Sequence, residues 1–165
     1  KSKMVYLFKP WVEVRIEDFR FRGKLVKKYH KIKLQNATMA IIENSKNEIL
    51  ITKEYRHGVG KEIFGLPGGI IDDGETPLQT IKRELWEETG IICNKWKYFH
   101  KFVRHCSYGC GLDYVYLANF KIKNKKKNSE ISSYSWIGKK KLKQMIIKNK
   151  FINSGVGFTL SKYLL

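Results

Sequence analysis

Apolar and polar residues alternate well enough from Val12 to Phe21 for a β-strand, Gly23 marks a turn, and Leu25 to Leu34 returns as its hairpin partner. Two short β-branched runs, Thr38 to Ile42 and Ile49 to Thr52, flank the polar Asn44-Ser45-Lys46-Asn47 turn and predict a second hairpin. Gly58, Gly60, Gly65, Gly68, Gly69 and Gly74, with Pro67, predict an irregular loop region. The period then changes. Thr76 is placed to cap a helix, Pro77 suits its first position and Gly90 its end, so a helix is expected over Thr76 to Thr89. Trp96 to Val103 and Leu112 to Phe120 predict strands joined by the Arg104 to Gly111 loop, with Lys121 to Asn128 as an exposed lysine-rich connector. A last strand at Ser132 to Ile137 and helices near Lys139 to Asn149 and Phe158 to Leu165 complete the chain. Strands dominate early and helices flank them later, which predicts an α+β fold with helices packed on a mixed sheet.

On the 76–89 helix, Leu78, Ile81 and Leu85 share one stripe, and Glu84, Glu87 and Glu88 share another about a quarter-turn away. The first stripe packs on a core. The second aligns three carboxylates at i, i+3 and i+4, where each like-charge pair costs about 0.2–0.5 kcal/mol in water. Stability gives no reason for such a cluster. Hard oxygen donors at this spacing suit a divalent cation, Mg²⁺ or Mn²⁺, with waters and substrate phosphate completing its shell.

Charge sharpens that contrast. The chain of 165 residues carries a formal +18, yet between Glu62 and Gly90 seven acids face only Lys82 and Arg83, leaving +23 for the remainder. The basic remainder reads either as a solvated lysine surface or as a face for a polyanion such as RNA. At 42% hydrophobic residues the composition predicts one folded domain and excludes disorder, and no stretch is long and apolar enough to suggest a membrane span. Lys1 to Pro10 is basic and lacks the apolar core of a secretory signal. Three cysteines, Cys93, Cys106 and Cys110, point to a reducing cytoplasmic setting, and His105 with Cys106 and Cys110 lacks the second ligand pair of a zinc site.

Gly69-Ile-Ile-Asp-Asp-Gly-Glu75 followed by Arg83-Glu84-Leu85-Trp86-Glu87-Glu88-Thr89-Gly90-Ile91 resembles a complete Nudix box, with every fixed position present. The resemblance implies a Nudix-like α/β/α sandwich and a hydrolase that cleaves a nucleoside diphosphate linked to another group. It implies that Glu84, Glu87 and Glu88 hold Mg²⁺ or Mn²⁺ with the Gly68 carbonyl, and that Glu75 and Arg83 support them. Arg83 reads equally as an ordinary i, i+4 partner of Glu87. For a general base, the only carboxylates downstream of the box are Asp113 and Glu130. Many Nudix proteins carry a base in a loop shortly before a strand aromatic, and Glu130, six residues before Trp136, resembles it.

Glu54-Tyr55-Arg56 and Gly65-Leu66-Pro67-Gly68-Gly69 are similar to the ADP-ribose and nucleoside-diphosphosugar pyrophosphatase branch, although Gly65 stands where that branch commonly has glutamate. On that resemblance Arg56 contacts substrate phosphate. Arg104 and Tyr108 are the other candidate substrate contacts, Tyr108 as a stacking face or as a core aromatic. The resemblance divides the chain into an N-terminal extension, residues 1–34, that pairs two copies in a homodimer, and a catalytic domain, residues 35–165. The expected substrate is ADP-ribose or a related nucleoside diphosphate derivative. RNA 5′ ends, or low-turnover sensing of a nucleotide or RNA, are the alternatives.

Overall fold

The computed structural model describes residues 2–9, 11–123 and 133–165. Its strands are β1 (Ser2–Phe8), β2 (Val12–Phe21), β3 (Lys24–Leu34), β4 (Ala37–Glu43), β5 (Glu48–Arg56), β6 (Lys61–Gly65), β7 (Gly68–Ile70), β8 (Ile91–His105), β9 (Cys110–Lys123) and β10 (Ser133–Gly138). The helices are α1 (Pro77–Thr89), α2 (Lys139–Ile147) and α3 (Ser154–Leu164). Strands β1, β2 and β3 form an antiparallel sheet of their own, and the other seven form a mixed sheet in which β10, β5, β4, β9 and β8 are successive neighbours. Among the described residues, only β4 and β9 run parallel.

The mixed sheet is buried on both faces at its centre, which is why Ile49, Leu50 and Ile51 of β5 form an unbroken apolar run. Ala40, Ile42 and Leu50 pack with Ile81 and Leu85 of α1, while Ile41, Ile49 and Ile51 pack with Leu142 of α2 and Val156 and Leu160 of α3. Helices therefore cover both sides, as expected for an α/β/α sandwich. No helix among the described residues is long and apolar enough to cross a membrane.

The first hairpin and α1 form where the pattern places them. The second hairpin does not: β4 and β5 pair only at Glu43↔Ile49 and then diverge. Strand β7 takes the edge of β4, and β6 takes the edge of β5. The predicted irregular region thus contains two short strands. Its glycines serve close approach as well as turning, since a Cβ on Gly68 would lie 2.2 Å from the Thr38 carbonyl oxygen. Beside it, the Ala40 N–H donates to the Pro67 carbonyl at 3.0 Å.

Other departures have local causes. Strand β1 is exposed along its whole length, so no alternation marks it. Register shifts in the β8–β9 ladder break the period and hide how far both strands extend. Residues 121–123 of the expected connector belong to β9. Capped by Asn153, α3 begins at Ser154, four residues before the predicted start, and Gly155 and Gly157 in its first turns conceal it.

At the start of α1, the Thr76 hydroxyl accepts from the Gln79 N–H, and the Gln79 side chain accepts from the Thr76 N–H. We expect Thr76→Ala to lower stability by about 1 kcal/mol, read by urea denaturation, because it removes half of this reciprocal cap.

Candidate active site

Helix α1 is anchored by Ile81 and Leu85, both almost fully buried, and this sets the rotation of its acidic stripe. Glu84 and Glu88 turn toward a cleft that opens where β4 and β5 diverge. Its volume is about 910 Å³, and its walls include Glu54, Arg56, Gly68, Arg104 and Asp113. A Cβ at position 69 would lie 2.3 Å from the Glu84 carboxyl, so any larger residue there would displace that side chain from its present place.

Arg83 holds the acidic groups together from outside the cleft. Its Nε and Nη2 donate to the two oxygens of Glu75 at 3.0 and 2.9 Å, and its Nη1 donates to Glu84 at 3.0 Å and Glu87 at 3.1 Å. Asp72 accepts from Nη2 at 3.1 Å. The i, i+4 pair with Glu87 thus exists within a five-residue network. Hydrogen bonds from Arg83 and Thr80 lower the pKa of Glu75, and Glu75, with Glu84 and Glu87, raises that of Arg83.

Inside the cleft the sign reverses. Burial pushes the Glu88 carboxyl up to about 8, the negative charges of Glu84 and Glu54 add to this, and the Gly68 N–H, 3.3 Å from Glu88 Oε2, and Arg56 oppose it. Burial likewise raises Glu84 against the pull of Arg83. Burial also raises Asp113, although Arg104 Nε donates to it at 2.8 Å. Arg104 spends another donor on the Gln35 carbonyl at 2.8 Å, tying β8 to the end of the N-terminal sheet. Arg56 donates to Glu54 at 2.7 Å and keeps more than half of its side chain exposed.

The structure thus brings Glu84, Glu88, Gly68, Arg56, Arg104 and Asp113 to one cleft, and places Glu75, Arg83 and Glu87 in the cluster beside it. Tyr108 stacks on His105 at the β8–β9 turn, with centroids 4.6 Å apart, and is not part of the cleft wall. Glu130 lies outside the described residues. Among the described residues no three His, Cys, Asp or Glu side chains converge on a metal-sized site. The donor chemistry nevertheless suits a divalent cation, because the partly buried carboxylates of Glu84 and Glu88, with burial and Glu84 both raising the pKa of Glu88, are stabilised by a positive ion between them.

Glu54, Trp11 and the Ile152–Ser154 segment are cleft residues that motif reading passed over. The i, i+2 spacing of Glu54 and Arg56, which puts both on one side of a strand, was a signal for Glu54. Trp11 and residues 152–154 reach the cleft through tertiary packing and carry no such signal.

A model of the NUDIX domain matches residues 33–154. This chain belongs to the Nudix family. It is 27% identical over 107 residues to a methanol dehydrogenase activator of Bacillus methanolicus, and 25% identical over 107 residues to an ADP-ribose pyrophosphatase of Bacillus subtilis. Each alignment covers 65% of this chain and 58% of the relative, so the Nudix chain spans little more than half the length of either. Its fold is similar to a crystal structure described as an ADP compounds hydrolase, with a TM-score of 0.73 at 19% identity, covering 99% of this chain and 91% of the other.

The Nudix box also fixes a pH dependence of stability. Unfolded, Glu88 ionises near its ordinary 4.5, whereas folded it keeps its proton to about 8. Between these values the unfolded chain binds fewer protons, so stability falls as pH rises. In metal-free protein, Glu88→Gln should lack this loss and gain on the wild type by about 1 kcal/mol or more between pH 5 and pH 8, read by chemical denaturation at each pH.

Proposed function

We propose that the chain hydrolyses the pyrophosphate linkage of ADP-ribose or a related nucleoside diphosphate derivative, using Mg²⁺ or Mn²⁺, to give a nucleoside monophosphate and a phosphorylated product. The observation that carries the reading is the meeting of Glu84 and Glu88 with Arg56 in one cleft large enough for a two-part nucleotide.

Glu84 and Glu88, with Glu87 and the Gly68 carbonyl, are the residues that would hold the cation. Bound there, a divalent cation lowers the pKa of water and screens the pyrophosphate charge. Arg83 is a positioning residue: bonded to Glu75, it holds Glu84 and Glu87 in fixed rotamers. Arg56 offers a planar fork to a phosphate, exchanging its single bond to Glu54 for a bidentate pair. Water adds to one phosphorus, the bridging P–O bond breaks, and the bridging oxygen leaves with the other phosphate. Glu130 is the proposed acceptor of the water proton, since Asp113 is engaged by Arg104. The exposed indole face of Trp11, at the rim, suits a nucleobase.

Residues 1–34 are the proposed dimerising extension of the 35–165 catalytic domain. By register, Tyr6 and Phe8 of β1, Val14 and Ile16 of β2 and Ile32 of β3 share one sheet face, with Tyr6 and Phe8 more than half exposed. Sedimentation equilibrium should give a homodimer that the Val14→Glu, Ile32→Glu double variant converts to monomer; a monomeric wild type would sink this arrangement.

The activity is tested by chromatography of products from ADP-ribose, a nucleotide sugar, a diadenosine polyphosphate, a nucleoside triphosphate and a 5′-triphosphate RNA, with and without Mg²⁺. ADP-ribose should be cleaved to AMP and ribose 5-phosphate only with the metal, and Glu88→Gln should lower kcat by about 10³-fold. A clear preference for the RNA, or no cleavage of any member, would overturn the reading.

A further inference from the structure

Residues 133–165 contain seven lysines and neither an aspartate nor a glutamate. Lys139 pairs with Glu43 at 2.7 Å, and Lys162 lies over the Phe99 ring. The other five, Lys140, Lys141, Lys143, Lys148 and Lys150, are exposed on α2 and on the segment that follows it. Among the described residues none of these five makes an ion pair.

Their arrangement works against the helix that carries them. Lys139, Lys140 and Lys141 occupy the first turn of α2, at the positive end of the helix dipole, above a Gly138 that has no side-chain cap. Lys140 and Lys143 are like charges three residues apart on one exposed face. What holds α2 is its other side, where Leu142 is fully buried and Met145 and Ile146 join the core. The packing thus presents a row of positive charge that local energetics disfavour, and a bound polyanion reverses that sign.

Position adds a second constraint. The segment bearing Lys148 and Lys150 runs directly into Ile152, Asn153 and Ser154, which form part of the cleft wall. A phosphate chain lying along α2 therefore leads toward the place where carboxylates and Arg56 await a phosphoanhydride. Ile147 is the one large apolar side chain of α2 that is exposed, so the face lacks the hydrophobic stripe of a membrane-surface helix.

We propose that the lysine face of α2 and residues 148–150 docks the phosphate backbone of single-stranded RNA beside the cleft. Backbone docking is separate from cleavage of a small nucleotide, so the two can fail independently. The choice of RNA rests on the proposed phosphoanhydride chemistry of the cleft, since RNA 5′ ends carry such linkages.

The test uses the full chain and a fluorescently labelled single-stranded RNA of about 12 nucleotides, with binding read by anisotropy between 50 and 200 mM salt. The variant replaces Lys140, Lys141, Lys143, Lys148 and Lys150 by glutamine. Affinity should fall at least about 10-fold, and the slope of log K against log salt should flatten by about 2–3.5, as expected for three to five lost phosphate contacts to a single strand. The melting temperature should not fall, and the rate of ADP-ribose cleavage should match the wild type. Unchanged RNA affinity in the variant would overturn the proposal, as would absence of RNA binding by the wild type or stronger lysine-dependent binding to vesicles of anionic lipid. Loss of ADP-ribose cleavage in both proteins, with the RNA result as expected, would count against the cleavage reading alone.

Discussion

Carboxylates crowded on one helix face must be held against their own repulsion, and in this chain a single guanidinium does much of that work. Arg83 bonds to Glu75, Glu84, Glu87 and Asp72, which come from α1 and from the loop before it. Lysine has a single nitrogen to offer and cannot reproduce this planar fork. The same bonds fix the loop against the helix. Glu84 also lies against Gly69, where a Cβ would meet its carboxyl at 2.3 Å. The acidic wall is consequently positioned from outside the cleft, by contacts that leave its inner surface to Glu84, Glu88 and Glu54.

The cleft itself exists because two strands part. β4 and β5 share one paired position and then take different partners, β7 and β6, leaving Gly65 to Gly68 at the fork. Buried apolar residues on both faces of the sheet keep the fork from closing, since moving either strand would disturb two cores at once. The far wall comes from α3. Its first turn approaches β8 so closely that a Cβ on Gly155 would lie 2.6 Å from the Phe102 ring, and His100 Nε2 lies 3.3 Å from the Thr159 hydroxyl. Burial and the nearby Lys162 lower the pKa of His100, which favours the neutral ring at this contact.

Opposite charge is handled in two ways across the molecule. Near α1, acids gather around one arginine; on α2, lysines gather with no acid among them. Both clusters are locally unfavourable, and in both a buried apolar stripe holds the helix in place despite its charges. Buried packing therefore holds both helices, and at α1 pairing with Arg83 orders the acids as well.

Helix α1 was legible residue by residue, because capping, the apolar stripe and the carboxylate spacing depend on neighbours within one or two turns. The family was legible for the same reason: the box is contiguous. The first hairpin and the mixed layering followed from period alone. Tertiary structure decided the rest. Nothing local states that β4 leaves β5 for β7 on one edge and runs parallel to β9 on the other, because backbone pairing carries no side-chain signature and glycine reads as a turn whether it bends the chain or admits a neighbour. The meeting of Trp11, Glu54, Arg104 and Asn153 in one cleft joins residues far apart in the chain. Sequence determined which groups could do chemistry, through short-range geometry; the packing of two cores against one sheet decided which of them face each other.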